Sequence, residues 1–228
     1  MRKIFLISGL GADTRLYNNI DLLDNEVVPV DWIESNITDT LTTYAQKLIQ
    51  QYYITSGSIV IGTSLGGMIA VEIAKQVALN KVILISSIKT INEAPWYFKA
   101  FRKLPVYKPM SGELLKKMGF LMKPIFGKFT ADDLWVFEDM LKKASPKFVK
   151  WAINAVLAWK NEIIPPNVYH LIGDKDMVFS YTRIKDATVI KGGTHIMVFD
   201  KAKQVQFVSR VFASSETPTS PKPLPVSD

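Results

Sequence analysis

Ser64 stands in Gly62-Thr63-Ser64-Leu65-Gly66, a G-x-S-x-G pentapeptide that follows the branched apolar run 59–61 and precedes residues with helical spacing. A serine at such a strand-to-helix turn is lifted above the sheet, and only small neighbours fit the tight turn around it. Its hydroxyl is a poor nucleophile near neutral pH and needs a base within hydrogen-bond reach, itself oriented by a third group. The chain holds two histidines. His170 lies inside the apolar stretch 167–173, which reads as core. His195 follows Gly192-Gly193-Thr194, just past the last apolar run, where the glycines free the chain to reach over a sheet edge, so His195 is the candidate base. The orienting carboxylate is Asp174 or Asp176, both in the turn after the strand that holds His170, and a plain polar turn is the alternative use of either. The backbone amide of Leu65, at the start of a helix, would face developing negative charge. Together these groups have the chemistry of acyl transfer through a serine.

The elements that must position them are legible as periods. Short runs rich in Val and Ile at Lys3–Ser8, Val27–Ile33, Ser58–Thr63, Lys81–Ser86, Val168–Ile172 and Thr188–Lys191 lack polar alternation, as strands buried on both faces do. Helical patterns at Leu41–Tyr52, Leu65–Leu79 and about Phe199–Phe212 alternate with them, which predicts a parallel sheet with helices on both faces. Between 89 and 166 the rhythm changes to four helical stretches, Pro95–Lys103, Ser111–Met122, Ala131–Lys143 and Pro146–Lys160. Thr130 and Ser145 are expected caps, with Pro146 at a first helical position. The Ser-, Thr- and Pro-rich tail 214–228 is too polar to offset its ordering entropy and reads as disordered.

The 228 residues, 48% hydrophobic, suffice for a full core, and one domain with an insertion is expected. No apolar run approaches the roughly 18 residues of a membrane span. The opening Met1–Ala12 imitates a signal peptide, but Gly9 and Gly11 cut it short, and a buried first strand fits better. Absence of cysteine excludes disulfides, thiolate catalysis and zinc–sulfur sites; cytoplasm is the default expectation. Net charge is +7, and the stretch 89–160 alone carries 14 Lys and Arg against 6 Asp and Glu. The whole excess therefore falls on the helical segment. Such lysines are usually solvent-facing, yet they could attract an acidic carrier protein, an anionic substrate or a membrane surface. Nucleic acid is not expected, since no binding motif accompanies the charge.

The order Ser64, then Asp, then His195, each after a successive strand, resembles the α/β-hydrolase superfamily. The resemblance covers about 1–213. It implies a mostly parallel, doubly wound α/β-hydrolase sheet of about six strands with an all-helical cap insertion: core 1–88 and 167–213, cap 89–166. The family's G-x-x-D-x-V pattern maps onto Gly173 through Val178 and selects Asp176. The loop Ser8-Gly9-Leu10-Gly11 is similar to the family's His-Gly-x-Gly oxyanion loop, with Leu10 supplying the second amide and Ser8 in place of the histidine. The resemblance implies a serine carboxylic-ester hydrolase that uses no metal or organic cofactor. A serine at the elbow argues against the dehalogenases and epoxide hydrolases of the superfamily. The alternatives are a lyase or synthase with the same triad, or a ligand-binding receptor. Trp96, Trp135, Met140 and Met177 are the candidates for contacting an apolar, small-to-medium acyl ester or thioester.

Overall fold

The computed structural model describes residues 3–22, 25–121, 123–127 and 129–213. The predicted tail 214–228, and Met122 at the end of one predicted helix, lie outside them. Six strands form one sheet: β1 (Lys3–Ile7), β2 (Glu26–Val30), β3 (Ile59–Thr63), β4 (Lys81–Ile85), β5 (Val168–Gly173) and β6 (Thr188–Ile190). Their order is β2-β1-β3-β4-β5-β6 and every pairing is parallel. Parallel neighbours need crossovers, and helices supply them: α1 (Leu41–Tyr52) after β2, α2 (Leu65–Ala74) after β3, and a helical insertion between β4 and β5.

Successive side chains of a strand point to opposite faces. Phe5, Ile7, Val60, Val82, Leu84 and Ile172 accordingly enter one core with Tyr44 and Leu48 of α1 and Met68 and Ile69 of α2. Ile4, Leu6, Ile59, Ile61, Ile83, Ile85 and Leu171 enter a second core, closed by α8 (Met197–Asp200) and α9 (Ala202–Ala213). The continuous apolar runs of β1, β3 and β4 are explained by this two-sided burial. The same expectation fails at both edges of the sheet: β2 is mostly exposed, and the three-residue β6 leaves Val189 exposed. Pro29, which has no N–H to donate, is tolerated in β2. Beyond Val30 the chain leaves the sheet because the amides of Asp31 and Ile33 donate to the hydroxyls of Tyr52 (2.8 Å) and Tyr44 (2.9 Å) instead of to a strand.

Two helices also differ from their predicted spans. The helix expected to reach Leu79 ends at Ala74, where the amides of Gln76 and Val77 both turn back onto the carbonyl of Ile73, each at 2.9 Å, as the chain returns to β4. The last predicted helix is two, broken at Lys201.

The insertion holds α3 (Trp96–Lys103), α4 (Gly112–Leu121), α5 (Lys123–Phe126), α6 (Ala131–Lys143) and α7 (Pro146–Ala158), one short helix more than expected. The predicted caps form: Thr130 and Ser145 accept hydrogen bonds from the amides of Asp133 and Phe148. Two anchors fasten the insertion to the sheet's helices. Phe148 and Trp151 pack against Trp32 and Tyr44 with ring centroids 4.3–6.1 Å apart, and the indole of Trp151 donates to the carbonyl of Asp39 at 2.8 Å. At the far end of α7 the buried carboxylate of Glu72 accepts from Trp159 Nε1 (2.8 Å), Thr42 Oγ1 (2.7 Å) and Lys75 Nζ (2.8 Å), and Lys75 also donates to Asn161 (2.9 Å). A buried charge is tolerated only with such partners.

His170 occupies the middle of β5, buried, as its apolar neighbours predict. Burial, helped by the nearby Lys89 ammonium, lowers its pKa from 6.5 to about 3. The ring is neutral in the folded chain at pH values where the unfolded chain would protonate it, so stability falls as pH drops below 6.5. Between pH 7 and pH 5, His170→Leu should abolish about 2 kcal/mol of the wild-type loss, read as the change in urea midpoints. Trp151→Ala should cost about 3–5 kcal/mol in the same unfolding assay at pH 7, because it empties an aromatic cluster and leaves the Asp39 carbonyl without its donor.

Candidate active site

Ser64 follows β3 and caps α2 with φ 53° and ψ −117°, a backbone region that residues other than glycine rarely occupy. Such strain persists only where the surroundings over-determine it. Here the amide of Ser64 donates to Ile85 O (3.0 Å), its carbonyl accepts from Gly67 N (3.0 Å), and the hydroxyl of Ser87 donates to that same carbonyl at 2.7 Å. The flanking glycines follow from close approach. A Cβ on Gly62 would lie 2.2 Å from Gly66 O, and one on Gly66 would lie 2.1 Å from Ile7 O. The start of α2 is thus pressed onto the ends of β3 and β1, which only glycine permits.

The structure brings the predicted trio together from three strand ends. His195 Nε2 is 3.1 Å from Ser64 Oγ, and His195 Nδ1 is 2.9 Å from Asp176 Oδ2 and 3.1 Å from Oδ1. Asp176 is buried and also accepts from the amides of Val178 (2.8 Å) and Phe179 (2.9 Å), which fix the carboxylate. The hydroxyl of Tyr97, on α3, donates to Val178 O at 2.9 Å and so braces that loop from the insertion. Burial, and secondarily the Asp176 charge, raise the Tyr97 pKa to about 12, so it stays a donor. Asp174 does something else: it accepts from Gly192 N at 2.6 Å, clasping the two loops that carry Asp176 and His195. Thr194, just before His195, donates to Asp200 at 2.7 Å.

Sequence reasoning assigned no role to Ser87 or Phe179, and did not place Phe126 of the apolar insertion beside the imidazole. Phe126 of α5 stacks on His195 with centroids 5.7 Å apart and planes 27° apart, and Phe179 meets it edge-on at 5.5 Å. Phe179 lies three residues after Asp176, a proximity visible in the chain, but no local pattern brings Phe126 to His195.

The loop after β1 lies beside the serine: a Cβ on Gly9 would be 3.4 Å from Ser64 Cβ. Leu10 follows it directly. The loop is braced by Ala12 N to Gly9 O (3.1 Å), Trp32 Nε1 to Ala12 O (2.9 Å) and Asp13 N to Met140 Sδ (3.4 Å). Met140 is thereby a buried support of the loop and lines an adjoining cleft of about 450 Å³ with Gly11, Trp32, Ser35 and Phe148. The other three predicted substrate contacts, Trp96, Trp135 and Met177, are largely exposed. Arg15 pairs with Asp13 (2.7 Å) and Asp139 (2.6 Å), tying the start of the chain to α6. Among the described residues there is no group of three or more His, Asp or Glu able to hold a metal ion.

Comparison with known proteins agrees with this architecture. The model of the alpha/beta hydrolase family matches residues 4–206. Among solved structures, an esterase from Exiguobacterium antarcticum is 19% identical with a TM-score of 0.67, covering 94% of this chain and 92% of that one. MenH from S. aureus is 18% identical with a TM-score of 0.72, covering 92% of each chain. A thermophilic esterase from Thermogutta terrifontis is 15% identical with a TM-score of 0.69, covering 93% and 89%. At such identities these structures share the fold alone. No curated protein is detectably similar in sequence. A model match over most of the chain, together with the wholly parallel sheet, places this protein in the alpha/beta hydrolase family.

Proposed function

We propose that this hydrolase cleaves a carboxylic ester or thioester with an apolar, small-to-medium acyl group through an acyl-enzyme on Ser64. The observation that carries the reading is the unbroken chain of contacts from Ser64 Oγ to His195 Nε2 and from His195 Nδ1 to Asp176. In that arrangement His195 takes the serine proton as Oγ attacks the carbonyl carbon, and Asp176 holds the tautomer that leaves Nε2 free to accept it. The tetrahedral oxyanion is received by the amides of Leu10 and Leu65, a donor pair of which each member contributes about 3 kcal/mol of transition-state stabilisation in comparable sites. The imidazolium then protonates the leaving alcohol or thiol, and water repeats the sequence to release the acid. Phe126 and Phe179, packed on the imidazole, limit water around it, which strengthens its hydrogen bonds.

In this reading residues 89–166 act as a cap over the site, supported by the contacts of Phe126 with His195 and of Tyr97 with Val178. In the same reading acyl contact falls to Met140, in the cleft beside the loop after β1, and to the exposed Trp96, Trp135 and Met177.

The test is a fluorophosphonate probe combined with a panel of p-nitrophenyl esters of increasing chain length. Labelling of Ser64 with ester turnover is the expected result. A folded protein that resists the probe would remove the nucleophile assignment, and labelling without turnover of any ester would remove the hydrolytic one. Ser64→Ala should abolish turnover. Asp176→Asn should lower kcat by about 10²–10⁴, whereas Asp174→Asn, which loosens a loop clasp, should lower it far less; the reverse ranking would move the carboxylate role to Asp174.

A further inference from the structure

Helix α4 packs Leu115 and Phe120 inward and still leaves a second set of apolar side chains outside. Its inner side, which lies against α6 and α7, carries Gly112, Leu115 and Gly119: a Cβ on Gly112 would lie 2.1 Å from Pro146 O, and one on Gly119 would lie 3.4 Å from Leu141 Cδ2. Its outer side carries Leu114, Met118 and Leu121, at i, i+4 and i+7, exposed by 47%, 41% and 79%. A surface helix ordinarily confines its large aliphatic side chains to the side that meets the core. Gly112 lets α4 lie close to the start of α7. Leu114, Met118 and Leu121 form a continuous apolar stripe in a place where soluble proteins keep charge.

We infer that the outer face of α4 docks the protein onto an anionic lipid surface. The charge around the stripe selects the occupant. Lys117 lies on the exposed side of the helix, whereas Lys116 turns inward to the carbonyls of Lys142 and Ala144 and Lys123 pairs with Glu138; the surrounding stretch 89–160 carries 14 basic against 6 acidic residues. A second copy of this chain would bring the same positive excess to the same face and be repelled. The tail 214–228 offers only Leu224 and Val226 as aliphatic side chains, too little to cover three large ones. A lysine such as Lys117 beside an apolar stripe can extend to lipid phosphates while Leu and Met enter the acyl boundary, the pattern of helices that lie in a membrane interface. The same insertion exposes Trp96 and Trp135, a residue type that concentrates at headgroup level. Among the described residues no helix is long and apolar enough to cross a membrane, so this contact is peripheral.

The experiment is co-sedimentation of the full chain with phosphatidylcholine vesicles, with and without about 30 mol% phosphatidylglycerol. Wild-type protein should bind the anionic vesicles at least about tenfold more tightly than the neutral ones and be released by about 0.5 M salt. The variant Leu114→Gln/Met118→Gln/Leu121→Gln should lose binding at least about tenfold while keeping its circular dichroism and its reactivity towards the fluorophosphonate probe. Equal binding to both vesicles, binding unaltered in the triple variant, or no binding to either overturns the inference. A wild-type dimer that the triple variant dissolves would assign the face to a second copy, and stripe-dependent binding of polyglutamate without vesicle binding would assign it to an acidic protein; each overturns the lipid assignment. Should the triple variant not fold, Lys117→Glu decides: anionic binding that survives the charge reversal undiminished also overturns it. The probe reactivity of Ser64 reports on the hydrolase separately, so the two proposals fail independently.

Discussion

The left-handed backbone at Ser64 is the constraint around which the rest of the molecule is arranged. A serine does not adopt φ 53° unaided, and the residues that hold it there belong to three strand ends and one helix. Ile85 at the end of β4 takes its amide proton, Ser87 beyond the same strand caps its carbonyl, and the glycines on either side let α2 rest against β1 and β3. Each contact depends on the register of a parallel sheet. Shift one strand by a residue and the faces exchange, the close approach at Gly66 is lost, and the hydroxyl no longer stands above the sheet.

The remaining two side chains solve a different problem, because they arrive on loops. A loop residue is positioned only if its backbone polar groups are satisfied in one arrangement. Asp176 is fixed by two amides that follow it in the chain, and its loop is held from above by Tyr97. The His195 loop is tied to the Asp176 loop by Asp174 and pinned further by Thr194 and Asp200. Asp174 and Asp176 are thus the same residue type, two positions apart, with separate tasks: one joins loops, the other faces the imidazole.

The insertion connects these loops to the surface. Its aromatic side chains divide into those that pack inward, as Phe148, Trp151 and Phe126 do, and those that remain outside, as Trp96 and Trp135 do. Anchored at Trp151 and at the Glu72 cluster, it presents an outer surface that is both basic and apolar. That combination is uncommon on a protein that keeps to water, since each apolar side chain left exposed forgoes its transfer free energy.

What the sequence determined by itself is what short-range physics encodes. Two-sided burial wrote β1, β3 and β4 as runs of Ile, Val, Leu and Phe without polar alternation, the helix caps at Thr130 and Ser145 were readable from residue type and spacing, and Gly62-Thr63-Ser64-Leu65-Gly66 announced a tight turn. Residue spacing left Asp174 and Asp176 open, and a family pattern favoured the second. Tertiary structure decided the rest, because it depends on contacts between residues far apart in the chain. Only the sheet order made β2 an exposed edge, and tyrosine hydroxyls from α1 ended it early. Only packing placed Phe126 on His195, and only packing chose Leu115 of α4 for the core while Leu114 and Leu121 stayed outside. A periodic pattern says that a helix has an apolar side; which side meets the core is settled by what the neighbouring helices can accept.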